Sequence, residues 1–459
     1  MTTSRQALNV QIDKALGRRR LYWFGTRGSD ATSLADVPQF SGAFSIIDRL
    51  KWNFEWSEAW EDSSDGTRID LDEWDIDEHP THPATRDLRA AMLTAMDYDH
   101  AIVPYRPCEF LSDLTFVRRD HCLYLGMFAG QQRAFEHKPW VETAVAKMDM
   151  KWLGWRYLAG RDRAVAEAWI RREGSVVVRP SRGSGGFGMR RIDTVADLDA
   201  FWPTSDDTYV NVSAYRHNAL PLNIGAVVWD DGVTLHYPSV QLIGVTACTA
   251  WPFGYCGNDF GLTKQLPADI VAEIERTALL LGQWLRSEGF RGAFGVDYLL
   301  DRDDLLFTEI NPRFQGSTRL SAQMSAGRGE PCLLIDHIAA LLHLPTPARP
   351  GLRELIMDGP AGGHVVLHNI GDRAVYADTS SLIDKLRDDL NDAYGQLDFT
   401  VAAPAERRVE AGATLLSMQT RSGLTTDGYR LSVIAEDVIR TAVRRSTRSI
   451  TEGSSLSDG

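Results

Sequence analysis

The chain has 459 residues and a formal net charge of −13, from 49 basic and 62 acidic side chains. General binding of nucleic acid or of an anionic membrane surface requires an excess of positive charge, so the composition argues against both partners. Hydrophobic residues at 44% and charged residues at 24% are ordinary for a globular protein and exclude a chain that is disordered throughout.

The sequence carries no export signal, membrane span or cysteine metal motif. Its first twenty residues lack the apolar core of a secretory signal, and no run approaches the roughly 18 apolar residues of a membrane helix. Five isolated cysteines occur without a C-x-x-C pair, which favours small buried thiols in a reducing compartment. We therefore expect a cytoplasmic protein.

The N-terminal region predicts an α/β unit that ends near residue 135. LYWFGTRGSD (21–30) indicates a strand, a glycine turn and the start of a helix. Such a turn can hold a phosphate, but it is more often only a tight connection. Residues 101–105 and 121–128 read as further strands, and residues 136–153 read as a helix.

Charge is unevenly distributed along the chain. Residues 55–79 contain eleven acidic residues and one arginine, which indicates a solvated insertion or, alternatively, a docking surface for a basic partner. Residues 151–191 contain ten basic and three acidic residues, which suggests a bound anion. The alternative for this basic segment is a solvated helix face.

A glycine-rich loop follows a short apolar strand in SVVVRPSRGSGGFGMRRI (175–192). Glycines without a Cβ atom allow backbone N–H groups to approach phosphate oxygens closely. The loop leads into a second strand and lacks the spacing of a Walker phosphate loop, so it predicts a hairpin flap over a nucleotide. An ordinary flexible hairpin is the alternative.

A second hairpin is predicted in GVDYLLDRDDLLFTEINPR (295–313). Alternation along the strands places Asp297 on one strand and Glu309 with Asn311 on the same face of the other. Two carboxylates and an amide oxygen are hard ligands that suit Mg²⁺ bound together with nucleotide phosphates. Arg313 shares that face if the strand continues, and solvated surface charges are the alternative.

The C-terminal part after about residue 350 predicts a small α+β region. Its strand-like segments are 364–369, 374–378 and 397–403, and a helix is expected over 428–446. The final segment, 451–459, is rich in small polar residues and is expected to be a disordered tail.

Taken together, the two hairpins and a linking strand near 209–215 resemble the ATP-grasp superfamily of carboxylate–amine ligases over about residues 136–345. The resemblance implies an α/β (α+β) ATP-grasp fold that uses ATP and Mg²⁺. The expected division is an N-terminal α/β pre-ATP-grasp domain at 1–135, the ATP-grasp domain at 136–348 and a C-terminal α+β domain at 349–450.

The resemblance also implies roles for single residues of this chain. Asp297, Glu309 and Asn311 match the metal ligands, whereas Arg313 and Arg179 match cations at the reacting groups. Most relatives have lysine at the position of Arg179, and an acidic ribose contact is expected near Asn223, where none is present. Spacing does not decide which of Lys138 and Lys147 is the second cation. The implied nucleotide-binding residues are Lys138, Lys147, Arg179, Arg182, Gly183, Ser184, Gly185, Gly186, Ala214, Tyr215 and Asn223.

The whole layout is most similar to the pheganomycin-type peptide ligases of actinobacteria. This similarity implies antibiotic biosynthesis in which an amino-acid carboxylate is joined through an acyl phosphate to the amine of a peptide or amino acid. The alternatives are a ligase that uses a small amine in primary metabolism and a non-catalytic nucleotide-binding regulator. A biotin carboxylase would need a biotin donor, and the chain lacks a Met-Lys-Met attachment signal. The assembly is left open between a monomer and a homodimer.

Overall fold

A computed structural model describes most of the chain. The described residues are 3–45, 54–55, 76–77, 80–81, 83–118, 121–179, 185–186, 188–203, 205, 208–402 and 407–449. Most of the acidic segment 55–79, the flap residues Arg182, Gly183 and Ser184, and the predicted tail 451–459 lie outside these residues.

The N-terminal region forms a five-stranded parallel sheet in the order β3-β2-β1-β4-β5. A helix precedes the first strand, and further helices connect the later ones. The elements are α1 Ser4–Leu16, β1 Arg20–Phe24, β2 Phe40–Ser45, β3 Phe54–Glu55, α2 Pro83–Met96, β4 His100–Pro104, α3 Glu109–Arg118, β5 Cys122–Tyr124 and α4 Ala129–Phe135. A 3₁₀ helix, Gly28–Leu34, follows β1.

The strand predicted over 121–128 is shorter than expected. It pairs with β4 only over Cys122–Tyr124, which lie opposite His100–Ile102, and β4 itself ends two residues later at Pro104. Proline has no backbone N–H to donate, so it favours the end of a sheet ladder. The chain then turns at Gly126 and enters α4.

The helix predicted over 136–153 is also wrong in its extent. The observed helix, α5, is Lys138–Val145. Beyond it the chain becomes extended, and Leu153 N–H donates to Phe307 O at 3.0 Å while Phe307 N–H donates to Lys151 O at 3.0 Å. Pairing with the edge of a sheet and burial of nearby side chains therefore override the apolar spacing that suggested one long helix.

A small antiparallel sheet with the order β6-β9-β7-β8 carries the glycine loop between β7 and β8. Helix α6 packs on β6, β7 and β9. The elements are β6 Arg156–Ala159, α6 Arg163–Glu173, β7 Val176–Arg179, β8 Arg190–Ile192 and β9 Tyr209–Ala214.

A large antiparallel sheet of eight strands has the order β14-β13-β10-β11-β12-β15-β19-β17. Helices α7 and α10 pack on it, and α9 joins it to the core of the N-terminal sheet. The elements up to α10 are β10 Leu220–Val228, β11 Val233–Ile243, β12 Tyr255–Asp259, α7 Ala268–Ser287, β13 Gly292–Asp301, β14 Asp304–Asn311, α8 Thr318–Gly327, α9 Leu333–Leu341 and α10 Leu352–Asp358.

The C-terminal region supplies three strands to this large sheet and a three-stranded sheet of its own, β18-β16-β20. Its elements are β15 Gly363–His368, β16 Val375–Ala377, α11 Thr379–Tyr394, β17 Asp398–Val401, β18 Arg407–Val409, β19 Thr414–Thr420, α12 Val433–Ser446 and β20 Thr447–Ser449. Strand β12 precedes residue 348 and β15 follows it, yet the two strands pair directly in one sheet. The domain boundary expected at residue 348 therefore stays a prediction.

The helix expected over 428–446 begins later, at Val433, because Ser432 caps it by accepting the Ala435 N–H at 3.2 Å. The five cysteines are all buried and form no disulfide with one another, as expected for isolated thiols. Within the described ranges, no helix combines the length and apolar character needed to cross a membrane.

Candidate active site

The β13–β14 hairpin brings the three predicted metal ligands together. Asp297 lies directly opposite Glu309, and Gly295 lies opposite Asn311. Residues that face each other across two strands share one face of the sheet, so Glu309 and Asn311 both lie on the face of Asp297. Asn311 Nδ2 donates to Asp297 Oδ2 at 3.0 Å, so these two side chains are in direct contact.

Asp297 is held by side-chain amides. Its Oδ1 accepts hydrogen bonds from Asn223, Gln241 and Gln315 at 2.9, 3.2 and 3.3 Å. Burial and the neighbouring Glu309 raise the pKa of Asp297. A cation bound between Asp297 and Glu309 would offset the cost of burying two negative charges together, and it would favour the charged form of both acids.

Lys138, and not Lys147, reaches this group. Lys138 Nζ donates to Glu309 Oε2 from the first turn of α5. Burial would raise the pKa of Glu309, but Lys138, Arg179 and Arg313 together lower it. Lys147 is exposed beyond the far end of α5. Because α5 is about 12 Å long at 1.5 Å per residue, the two lysines cannot serve the same place.

Arg179 is buried in β7 and already has a charged partner. Its Nη2 lies 2.6 Å from Glu142 Oε1, and its guanidinium lies 3.6 Å from the centroid of the Trp155 ring. Tyr157 donates its hydroxyl to the other oxygen of Glu142 at 3.0 Å. Sequence reasoning missed Glu142, although its position four residues after Lys138 places both on one helix face.

Arg313 lies at the end of the hairpin, close to Asn311. Its Nη2 is 3.4 Å from Asn311 Oδ1, and its Nε is 3.5 Å from Glu136. Although β14 ends at Asn311, the guanidinium borders the face that carries the predicted metal ligands.

The described part of the flap lies against the loop before β12. Gly185 and Gly186 have φ values of 59° and 77°, which favour glycine. A Cβ atom on Gly186 would lie 1.8 Å from Phe253 O, and Tyr255 N–H donates to Gly185 O at 3.3 Å. This close approach needs a residue without a side chain at 186.

An apolar surface lies between the small sheet and the β13–β14 hairpin. Leu153, Trp155, Val177 and Leu306 form its buried part. Four partly buried side chains pack on it, Met189, Tyr215, Phe253 and Leu299. The partly buried apolar side chains of such a cluster can pack against an aromatic ring.

Two predicted nucleotide contacts look different in the structure. Tyr215 N–H already donates to Ser175 O at 3.1 Å, so at the hinge this residue does not offer a free donor. Asn223 is buried, and its Nδ2 donates to Asp297 at 2.9 Å and Gln315 at 2.8 Å. Asn223 therefore lies beside Asp297 on the adjacent strand and supports it, and a ribose contact for Asn223 stays a prediction, as do contacts by Ala214.

Known proteins resemble this chain in sequence and in fold. Residues 151–317 match the model of the ATP-grasp domain. The formate-dependent phosphoribosylglycinamide formyltransferase of Nitratidesulfovibrio vulgaris is 29% identical over 199 residues, which cover 42% of this chain and 44% of that protein. The enzyme of the same name from Synechococcus is 24% identical over 220 residues, 45% of this chain and 52% of that protein. The chain thus matches about half the length of these curated relatives.

Solved structures share the fold at low sequence identity. N5-carboxyaminoimidazole synthase from Aspergillus clavatus, in complex with ADP and 5-aminoimidazole ribonucleotide, has a TM-score of 0.58 and 12% identity over 94% of this chain and 99% of that chain. Biotin carboxylase from Campylobacter jejuni has a TM-score of 0.55 and 14% identity over 89% of each chain. The protein therefore carries an ATP-grasp domain and has the ATP-grasp fold.

Proposed function

We propose that the protein is an ATP-dependent ligase that joins a carboxylate to the amine of a small molecule, with release of ADP and phosphate. The observation that carries the proposal is the convergence of Asp297, Glu309 and Asn311 beside Lys138. The matched ATP-grasp domain supports the same reading.

The comparisons favour the small-amine alternative over peptide ligation. The curated relatives are named for formate and phosphoribosylglycinamide, and a structural neighbour was solved with 5-aminoimidazole ribonucleotide. The relatives and structures named above do not support the pheganomycin-type subtype or a role in antibiotic biosynthesis, so that narrower expectation stays a prediction. A regulator without catalysis is disfavoured because all three metal-ligand positions carry suitable oxygens.

The side chains fit Mg²⁺ bound together with phosphates. No three His, Cys, Asp or Glu side chains in the described part of the chain form a metal site by themselves. Two carboxylates and one amide oxygen suit a cation that completes its shell with water and nucleotide phosphates. Asn311 Nδ2 donates to Asp297, so the atom of Asn311 that would bind the ion is Oδ1, which accepts from Arg313 Nη2 at 3.4 Å in this structure. The bound ion would offset negative charge on the phosphates.

Lysine and arginine side chains of the protein would stabilise the negative charge that the metal ion does not offset. Lys138 and Arg179 would hold the phosphates of ATP while the substrate carboxylate attacks the γ-phosphorus and forms an acyl phosphate. Arg313 would stabilise the oxyanion that develops when the amine attacks the acyl carbon and phosphate leaves. Closure of the flap would exclude water, which would otherwise hydrolyse the acyl phosphate.

The decisive experiment measures phosphate release from ATP with acid and amine varied independently. Formate, bicarbonate, acetate and glycine serve as acids, and phosphorylated amines, free amino acids and dipeptides serve as amines, with product mass as the second readout. We expect release that requires one acid and one small amine. Nucleotide binding without turnover for any pair would instead favour a regulator, and selective turnover of dipeptides would restore the peptide-ligase reading.

Gly186→Ala tests the seating of the flap. The new Cβ atom would collide with Phe253 O, and the φ of 77° adds backbone strain. Overpacking of this kind costs about 1–3 kcal/mol, so we expect the KM for ATP to rise by about 5- to 150-fold. Steady-state kinetics at saturating acid and amine measure it.

Gly185→Ala is the matched control for the flap. Gly185 also has a positive φ, of 59°, but a Cβ atom there meets nothing within 4 Å. It therefore introduces strain without the collision. Equal effects of the two substitutions would show that contact with Phe253 plays no part in nucleotide binding.

A further inference from the structure

Lys138 and Glu309 contact each other, although each is assigned to a different ligand. Lys138 is the first residue of α5, and its Nζ donates to Glu309 Oε2 on β14. Under the proposed function, Glu309 binds the metal ion and Lys138 binds the phosphates of ATP. Neither side chain can bind its ligand fully while the two charges neutralise each other.

The ion pair is partly shielded from water. The side chains of Lys138 and Glu309 are 15% and 31% exposed. In the surface pair of Lys151 with Asp304, the side chains are 65% and 55% exposed. Partly buried charges are screened less than exposed ones, so the contact of Lys138 with Glu309 is the harder of the two to break.

The other two cations of the site have partners that are not predicted metal ligands. Arg179 Nη2 lies 2.6 Å from Glu142, and Arg313 Nε lies 3.5 Å from Glu136. A metal ion at its predicted ligands would therefore leave both of these pairs intact. Lys138 differs, because its partner is itself a predicted metal ligand.

Lys138 can change partner without movement of α5. Glu142 lies one turn after Lys138 on the same helix face and contacts Arg179, so the two cations assigned to phosphate are about one helical turn, 5.4 Å, apart along α5. The apolar face of α5 is fixed in the core of the large sheet. A lysine ammonium on its flexible four-carbon chain can leave Glu309 while the backbone stays in place.

We propose that Lys138 blocks the metal position in the ligand-free protein and exchanges Glu309 for phosphate when metal ion and nucleotide bind together. Lys138 thereby couples the two binding events. With one ligand alone, either Lys138 or Glu309 is left without a partner of opposite charge, whereas with both ligands each has one. The proposal rests on the proposed function, which assigns these two side chains to phosphate and metal.

The exchange predicts an unusual sign for the loss of Lys138. A ligand that binds only after a contact breaks has an apparent affinity reduced by the fraction of protein in which that contact is already open. A hydrogen bond between charged groups corresponds to a factor of about ten or more. Removal of Lys138 should therefore strengthen metal binding, although it removes a residue of the site.

The test measures Mn²⁺ binding to the full chain without nucleotide, by electron paramagnetic resonance. Mn²⁺ prefers the same oxygen ligands as Mg²⁺. We expect Lys138→Met and Lys138→Gln to bind Mn²⁺ at least about tenfold more tightly than wild type, and Glu309→Gln to bind it more weakly. A purely structural role for Lys138 would give no gain. Mn²⁺ affinity in both Lys138 variants that is equal to or below that of wild type would overturn the exchange.

Lys147→Met is the matched control. It removes the same charge, but Lys147 is exposed beyond the far end of α5. Its Mn²⁺ affinity should stay within about twofold of wild type, because solvent screens a distant exposed charge. A gain as large as that of Lys138→Met would attribute the effect to net charge and would overturn the exchange.

A second measurement tests the coupling directly. Calorimetry with ADP, with and without Mg²⁺, gives the factor by which the metal ion strengthens nucleotide binding. In wild type this factor includes the release of Lys138 from Glu309, and in Lys138→Met it does not. The factor should therefore fall at least about tenfold in Lys138→Met. An unchanged factor would contradict the coupling.

The outcomes separate the exchange from the ligase activity. Turnover of an acid and an amine by wild type, without a gain of Mn²⁺ affinity in Lys138→Met, would keep the ligase and overturn the exchange. A gain of Mn²⁺ affinity in a protein that turns over no acid–amine pair would keep the exchange and overturn the ligase. Absence of Mn²⁺ binding in wild type and in both Lys138 variants would remove the metal site on which both proposals rest.

Discussion

Glu309→Gln is expected to lower kcat of the ligase reaction by about 10²–10³-fold, the usual loss when one preorganised group that stabilises transition-state charge is removed. The neutral amide retains the shape of the side chain but removes the charge that Lys138 now contacts and that a metal ion would need. Phosphate release under saturating substrates measures the effect, and circular dichroism verifies the fold.

Asp304→Asn is the control for this result. Asp304 begins the same strand, β14, and makes an exposed ion pair with Lys151. It carries the same charge on the same strand but lies away from the site, so kcat should stay within about twofold of wild type, since surface pairs contribute little. Glu309→Gln turnover as fast as that of Asp304→Asn would remove Glu309 from the proposed metal site.

Glu142→Gln is expected to destabilise the protein by about 3 kcal/mol, because removing one partner of a buried ion pair leaves the other charge uncompensated. Arg179 and Glu142 lie 2.6 Å apart with side chains only 6% and 5% exposed. Urea denaturation in the absence of nucleotide measures the loss.

Addition of ADP with Mg²⁺ should return part of that stability. If Arg179 binds phosphate as proposed, the ligand supplies the anion that the substitution removed, and stabilisation by ADP should be larger in Glu142→Gln than in wild type. Glu167→Gln is the control, since Glu167 pairs with Arg163 and Arg171 at the surface. Equal stabilisation of all three proteins would argue against contact between Arg179 and the nucleotide.

Local spacing accounts for what could be predicted at the site. Asp297, Glu309 and Asn311 lie on two adjacent strands joined by a tight turn at Arg302, so alternation and the turn together set which side chains meet. The strands on both sides of the glycine loop follow from the same kind of local pattern. In such hairpins the partners are close in sequence, and few registers are available.

Contacts between distant segments could not be predicted in this way. Sequence spacing did not decide which of Lys138 and Lys147 reaches the site. The ion pair of Arg179 with Glu142 joins residues that are 37 positions apart. Asn223 supports Asp297 across 74 residues of sequence, a contact that its expected place near the ribose did not predict. Each of these contacts depends on how α5, the small sheet and the large sheet pack.

The sequence by itself determined the two hairpins, the shared face of Asp297, Glu309 and Asn311, and the excess of negative charge, because each depends on residue type and short-range alternation. Only the tertiary structure decided that α5 ends at Val145, that Lys138 reaches Glu309, and that strands of the C-terminal region extend the large sheet to His364. The reason is physical: burial and strand pairing between remote segments outweigh local preference, and no local pattern encodes which remote segments will meet.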